Sequence, residues 1–131
     1  MVERLHLDIV TPSKKVLSTE CDDVYVPGSL GEFGILLEHA ALLSTLIPGL
    51  VRVREGVNVT PIAVRGGFVQ VVNNRIALLA DEAITKSEVN RTALEEETVQ
   101  LEAKLLDSNV STDDRKPLYE LRDWIRAQLQ L

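Results

Sequence analysis

Apolar and polar residues alternate in short runs over the first two thirds of the chain. Leu5-His6-Leu7-Asp8-Ile9-Val10 is apolar at every second position, the period of a strand with one buried face, and Thr11-Pro12 ends it. Asp23-Val24-Tyr25-Val26 stops at Pro27-Gly28. Residues 42–47 are bounded by Pro48-Gly49, and Leu50-Val51-Arg52-Val53-Arg54 turns at Glu55-Gly56. Val57-Asn58-Val59-Thr60 runs past Pro61 into Ile62-Ala63-Val64; proline donates nothing to a ladder, so Pro61 marks an edge or a bulge. Phe68-Val69-Gln70-Val71-Val72 and Arg75-Ile76-Ala77-Leu78-Leu79 flank Asn73-Asn74, a two-residue hairpin turn suited to asparagine's tolerance of positive φ. Gly66-Gly67 reads as a bulge or a close passage of two backbones. Strands at this spacing predict an all-β sandwich.

After about Ser87 the period becomes helical. Leu94, Thr98, Leu101 and Leu105 form one stripe, with Glu95, Glu96, Glu97 and Glu102 largely off it. Ser87-Glu88 reads as the helix start, and the early acids suit the positive end of its dipole. Residues 107–114 break the pattern. Asp113 or Asp114 then caps a second helix with Pro117 in its first turn and Leu118, Leu121, Ile125 and Leu129 as its apolar stripe. Two helices joined by a short polar loop make an antiparallel hairpin. Both stripes are narrow, so the hairpin needs a partner surface, either the β-domain or another protein. The predicted fold is α+β: a flattened sandwich of about 8–10 strands over residues 1–86, a docking domain, and a regulatory two-helix hairpin over 87–131.

Composition narrows the function. All seven glycines precede residue 68. The net charge is −6 and aromatics make up 4% of the chain, which argues against a nucleic-acid surface and against adhesion to anionic lipid. Cys21 is alone, which excludes an internal disulfide and a cysteine metal cluster, and reads as a buried structural thiol. No run reaches the ~18–20 apolar residues of a membrane span. The opening Met1-Val2-Glu3-Arg4-Leu5-His6 lacks a signal-peptide core. His6 and His39 have no Cys or His at metal-ligand spacing, so no metal site is expected. Asp22-Asp23 and Asp81-Glu82 read as solvated loop acids, and no catalytic set of nucleophile and base stands out.

The stretch from Gly28 to Leu43 carries the most information. Gly28, Gly31 and Gly34 read as a tight, shaped loop. It lacks GxGxxG spacing and a following Gly-Lys-Ser/Thr, and its acid, Glu32, repels anions, so it reads as a protein-docking loop rather than a phosphate cradle. Gly31-Glu32-Phe33-Gly34-Ile35-Leu36, then His39-Ala40, Leu42-Leu43 and Pro48-Gly49, resemble the signature of the epsilon subunit of F-type ATP synthase, commonly Gly-Glu-Phe/Leu-Gly-Ile-x-Pro-Gly-His-Ala-Pro-Leu-Leu. Leu37, Glu38 and Ala41 stand where that signature has Pro, Gly and Pro. The resemblance continues through Gly66-Gly67-Phe68-Val69-Gln70-Val71 and Leu79-Ala80-Asp81-Glu82-Ala83-Ile84.

The resemblance implies a non-catalytic central-stalk subunit that links the gamma subunit to the c-subunit ring and restrains ATP hydrolysis through its C-terminal helices. Gly31, Glu32, Phe33 and Gly34 then match the loop that meets the c-ring. His39, Ala40 and Leu42 match the segment at the ring and gamma contacts. Arg115, Arg122 and Arg126 fall in the helix that approaches the catalytic beta subunit, within reach of alpha as well. It implies a peripheral place on the cytoplasmic face of an energy-transducing membrane, bacterial or thylakoid, held there by the complex alone. Some members bind ATP through a pattern like Ile/Leu-Asp-x-x-Arg-Ala. Here Val89-Asn90-Arg91-Thr92-Ala93-Leu94 lacks both the acid and the arginine, so no cofactor is expected and ATP binding is weak or nil. The alternative reading is a stand-alone regulatory nucleotide-binding module using the helical arginines.

Overall fold

Period-two alternation resolves into ten strands in the computed structural model, which describes residues 3–131. Met1 and Val2, which open the stretch without a signal core, lie outside the described residues. The strands are β1 Leu5–Val10, β2 Lys15–Cys21, β3 Asp23–Gly28, β4 Gly31–Ile35, β5 Leu42–Thr45, β6 Gly49–Glu55, β7 Asn58–Arg65, β8 Phe68–Val72, β9 Arg75–Leu79 and β10 Glu82–Thr85. Two helices follow, α1 Arg91–Leu106 and α2 Thr112–Leu129. The sheets run β2-β1-β9-β8-β5 and β10-β7-β6-β3-β4. This is the predicted sandwich with its two C-terminal helices.

The alternating positions face inward and form one core. Leu5, Leu7 and Ile9 of β1 and Ile76 and Leu78 of β9 meet Val24, Val26, Val51, Val53, Ile62 and Val64 of the opposite sheet. β1 lies parallel to β9, His6 opposite Arg75 and Val10 opposite Leu79, while the other strand pairs are antiparallel. The first strand is thus held in mid-sheet by a partner some seventy positions later, a pairing that periodicity does not reveal.

Several expectations meet their physical reasons here. Asn73 and Asn74 have φ of 49° and 63°, as a two-residue hairpin of this hand demands. Gly67, at φ +92°, lies where a Cβ would enter the carbonyl oxygen of Leu79, so Gly66-Gly67 is the close passage expected. Pro61 sits one residue outside the β7–β10 ladder, which starts at Ile62 opposite Thr85, so it is an edge position on that side. Cys21 is buried, and desolvation pushes its thiol up to about 11.

The glycine-rich stretch is a correction. Residues 31–35 form strand β4, paired with β3 from Val24–Ile35 to Gly28–Gly31, rather than a loop. Of its three glycines only Gly31 has positive φ.

The helices differ at their starts. Ser87-Glu88 lies in a short 3-10 turn, Lys86–Glu88, closed by a capping box with Thr85. The α1 cap is Asn90, whose side chain accepts from the Ala93 N–H, and the first turn of α1 holds no acid. Ser111, not an aspartate, caps α2, accepting from the Asp114 N–H. Pro117 therefore lies inside α2 beyond its first turn, where it removes one helical hydrogen bond.

Packing of the hairpin answers the question of its partner. Leu118, Leu121, Ile125 and Leu129 of α2 close on Leu94, Leu101 and Leu105 of α1. A second face of α2, Trp124 and Ala127 with Leu131 beyond the helix end, packs on Leu50 of β6 and Ala63 of β7. The order of layers is sheet, sheet, α2, α1.

Candidate functional site

Two glycines of β4 and its neighbour make room for aromatic rings. A Cβ on Gly34 would lie 2.8 Å from Tyr25 Cε1, and one on Gly28 would lie 2.7 Å from Phe33 Cε1. Tyr25 is the cross-strand partner of Gly34, so the ring rests on bare backbone. Glu32 is no free acid: Arg52 of β6 pairs with it across Tyr25 on the outer face of the sheet. Phe33 points the other way and packs against the sandwich core.

The sequence-predicted set is not a single point. Gly31 lies at the end of the sandwich that carries Ser29-Leu30, where Ser29 N–H donates to Thr45 O and Leu46 N–H to Gly67 O. His39 and Ala40 follow the opposite end of β4, roughly 13 Å away at strand spacing. That end is fastened to the β8–β9 turn. Glu38 N–H donates to Asn74 Oδ1 at 2.7 Å, and Asn74 Nδ2 donates back to Glu38 Oε1 at 3.1 Å. Glu38 holds φ +64° without being glycine, a strained conformation that this reciprocal pair supports. His39 is half-buried, its Nδ1 2.7 Å from the Ala40 carbonyl, so Nδ1 carries a proton and donates it to that oxygen. Leu30, Leu36, Leu37, Leu43 and Ile47 are exposed at the two ends and the edge between them. Leu42 is partly buried against the core.

The three helical arginines share a face of α2 but not a task. Arg115 turns back onto the end of α1, donating to the carbonyls of Leu105, Asp107 and Val110. Arg122 lies 4.8 Å from the centroid of the Tyr119 ring. Arg126 is exposed and has no carboxylate partner among the described residues. Arg122 and Arg126 line a groove between the helices with Thr98, Glu102 and Leu129.

Of the acids read as solvated, Asp22, Asp23 and Glu82 have structural partners, while Asp81 is exposed. Asp23 is buried, and Arg54 donates to its Oδ2 from Nε at 2.8 Å and from Nη2 at 2.6 Å. Asp22 accepts the Gly56 N–H at 2.6 Å, and that bond, with Arg4 and Arg54 nearby, holds its carboxyl below the usual range. Glu82 pairs with Arg65. Sequence reasoning also missed Tyr25, Arg52, Asn74 and Trp124. Only Trp124, the sole tryptophan, carried a usable signal, lying about 120° round the helix from Leu118 and so off the expected stripe. No group of three or more His, Cys, Asp or Glu that could hold a metal occurs among the described residues.

The chain is thus a ten-stranded sandwich with a two-helix hairpin laid on one sheet. A family described as ATP synthase, Delta/Epsilon chain, beta-sandwich domain matches residues 4–86. The ATP synthase epsilon chain of Gloeothece citriformis is 34% identical over 124 residues, covering 95% of this chain and 90% of that one. That of Parvibaculum lavamentivorans is 34% identical over 127 residues, 96% of each chain. That of Desulforamulus reducens is 51% identical over 83 residues, 63% of each chain. The chain belongs to the ATP synthase delta/epsilon family, and so to the subunits of a larger complex. The fold recurs at 18% identity and a TM-score of 0.83 in the cryo-EM structure of the Euglena gracilis mitochondrial ATP synthase with OSCP, F1 and c-ring, covering 97% of this chain and 80% of that one. It recurs at 16% identity and a TM-score of 0.64 in the central stalk and c-ring of the Tetrahymena thermophila enzyme, covering 98% and 96%.

Gly34→Val drives a branched side chain into the Tyr25 ring, an overpacking that destabilises the sandwich by about 1–2 kcal/mol. Tyr25→Ala in the same chain recovers most of that loss. Urea unfolding of the two single variants and the double variant checks it; additive effects would show that Tyr25 is not the obstacle.

Proposed function

We propose that this chain is a non-catalytic coupling and regulatory subunit of the F-type ATP synthase central stalk. The observation that carries the reading is the match of the whole sandwich, residues 4–86, to the delta/epsilon family, extended over nearly the full chain by epsilon relatives. In this reading residues 1–86 dock and transmit rotation, and residues 87–131 regulate. Gly31, Glu32, Phe33 and Gly34 shape the surface offered to the c-ring. His39 and Ala40, on the loop fastened by Asn74, and Leu42, at the start of β5, meet ring and gamma. The exposed leucines at the two ends suit such apolar contacts. Arg126 has its charge available for an acidic surface of the catalytic beta and alpha subunits, while Arg122 reaches it only by sharing its charge with Asp123, 3.9 Å away, and the Tyr119 ring. Arg115 joins them only when its hold on the end of α1 is released. No helix of the described residues is long and apolar enough to cross a membrane, which suits a peripheral subunit held by its partners on the cytoplasmic side.

A nucleotide reading has one observation behind it, the groove lined by Arg122 and Arg126. Its volume is ≈ 240 Å³, below the ~300–1,000 Å³ usual for ligand sites, and Glu102 shares it. Asn90, where ATP-binding relatives carry an acid, is committed to capping α1, and Arg91 donates to the Leu129 carbonyl at 3.1 Å. The proposal is therefore that MgATP binds weakly or not at all.

A chain ended after Lys86 uncovers Leu50 and Ala63 and should melt at a lower temperature, yet fold, assemble with the stalk and raise ATP hydrolysis by the complex. Hydrolysis unchanged in the assembled complex would remove the regulatory role; failure to assemble would remove the docking role. Calorimetry with MgATP on the intact chain should show no saturable micromolar binding; such binding, abolished by Arg122→Ala or Arg126→Ala, would establish the nucleotide reading instead.

A further inference from the structure

The hairpin touches the sandwich through two kinds of contact. One is the apolar patch of Trp124, Ala127 and Leu131 on Leu50 and Ala63. The other is polar: Lys14 Nζ of the sandwich donates to Glu88 at 3.2 Å ahead of α1, and one clasp holds α2 itself. Arg65, the last residue of β7, donates from Nε to Glu120 Oε1 at 2.9 Å and from Nη2 to Glu120 Oε2 at 2.8 Å. Its remaining Nη donates to Glu82 of β10 at 3.1 Å. Among the described residues Glu120 is the one side chain of α2 that hydrogen-bonds to the sandwich.

The two contacts do different work. An apolar patch tolerates rotation and sliding of the helix, because burial has no direction. A planar bidentate pair accepts one register only. Breaking an ion pair usually strands a charge, which makes the step unfavourable. Here it does not: when α2 leaves, Arg65 keeps Glu82, and Glu120 enters water as an ordinary surface carboxylate. The side chains of Arg65 and Glu120 are 32% and 40% exposed, so the clasp is within reach of screening ions.

We propose that Arg65, shared between Glu82 and Glu120, is a reversible latch that sets the seat of the hairpin on the sandwich and permits its release. The inference rests on the reading of residues 87–131 as the regulatory part and supplies the contact that holds that part down.

Leu50 lies under α2 on the outer face of its sheet, and Cys21 lies in the sandwich core. In a Leu50→Cys background the introduced thiol reacts with a maleimide only when the hairpin lifts, whereas Cys21 reacts only when the sandwich opens. Arg65→Glu and Glu120→Arg should each raise labelling at position 50 about three- to fivefold, with Cys21 unchanged. The double variant Arg65→Glu/Glu120→Arg should return it to within about twofold of the parent. Should either single variant raise Cys21 labelling, Glu120→Gln, which keeps the shape and removes the charge, carries the same expectation. Equal labelling at position 50 in the parent, the charge-reversed chains and Glu120→Gln overturns the latch, as does a double variant that restores nothing. Labelling is read on the chain alone and hydrolysis in the assembled complex, so the two readings fail separately.

Discussion

One sheet of this protein must bury both of its faces. The consecutive residues Ile62, Ala63 and Val64 of β7 are all buried, although only alternate positions can face the opposite sheet. Ile62 and Val64 complete the sandwich core, and Ala63 points outward under α2 with Leu50 beside it. Alanine at that position keeps the sheet low enough for the Trp124 ring to lie on it. Everything beyond Thr85 takes its place from this second face: α2 sits on the sheet, and α1 sits on α2.

The arrangement separates a rigid part from an attached one. The sandwich is closed by long-range pairings, above all the parallel β1–β9 ladder, and by a continuous apolar interior. Helix α2 is joined to the sandwich by a small apolar patch and one shared arginine, and Glu88, ahead of α1, accepts from Lys14 Nζ at 3.2 Å. That division suits the proposed coupling and regulatory role. The proposed docking surface belongs to the sandwich, where ion pairs, aromatic rings on bare glycine backbone and the Glu38–Asn74 bond hold its loops.

Much of this was legible in the residues. Alternation located most of the strands, and Asn73-Asn74 and Gly66-Gly67 revealed their turns through backbone chemistry that other residues satisfy poorly. β2 and β10 escaped because Lys15–Cys21 and Glu82–Thr85 carry polar residues at both phases, and β10 is only four residues long. The glycines of β4 misled because absence of a side chain has two uses. Freedom of φ was the assumed use, and room for the rings of Tyr25 and Phe33 is the main one. Glu32 looked like a free acid because its partner Arg52 lies two strands away, a juxtaposition that only the fold creates. The second face of α2 was hidden for a similar reason: a stripe of Leu118, Leu121, Ile125 and Leu129 accounts for the hairpin, so Trp124 had no evident purpose until Ala63 was placed beneath it.

Sandwich and hairpin are joined at one face and are proposed to open as separate cooperative units. Native-state hydrogen exchange of the intact chain distinguishes one unit from two, because the free energy of opening is read amide by amide. The amides of α2 around Ile125 should open at a clearly lower free energy than those of β1 and β9 around Leu7 and Leu78. A single opening free energy shared by the helices and both sheets would contradict it, because the chain would then open as one body.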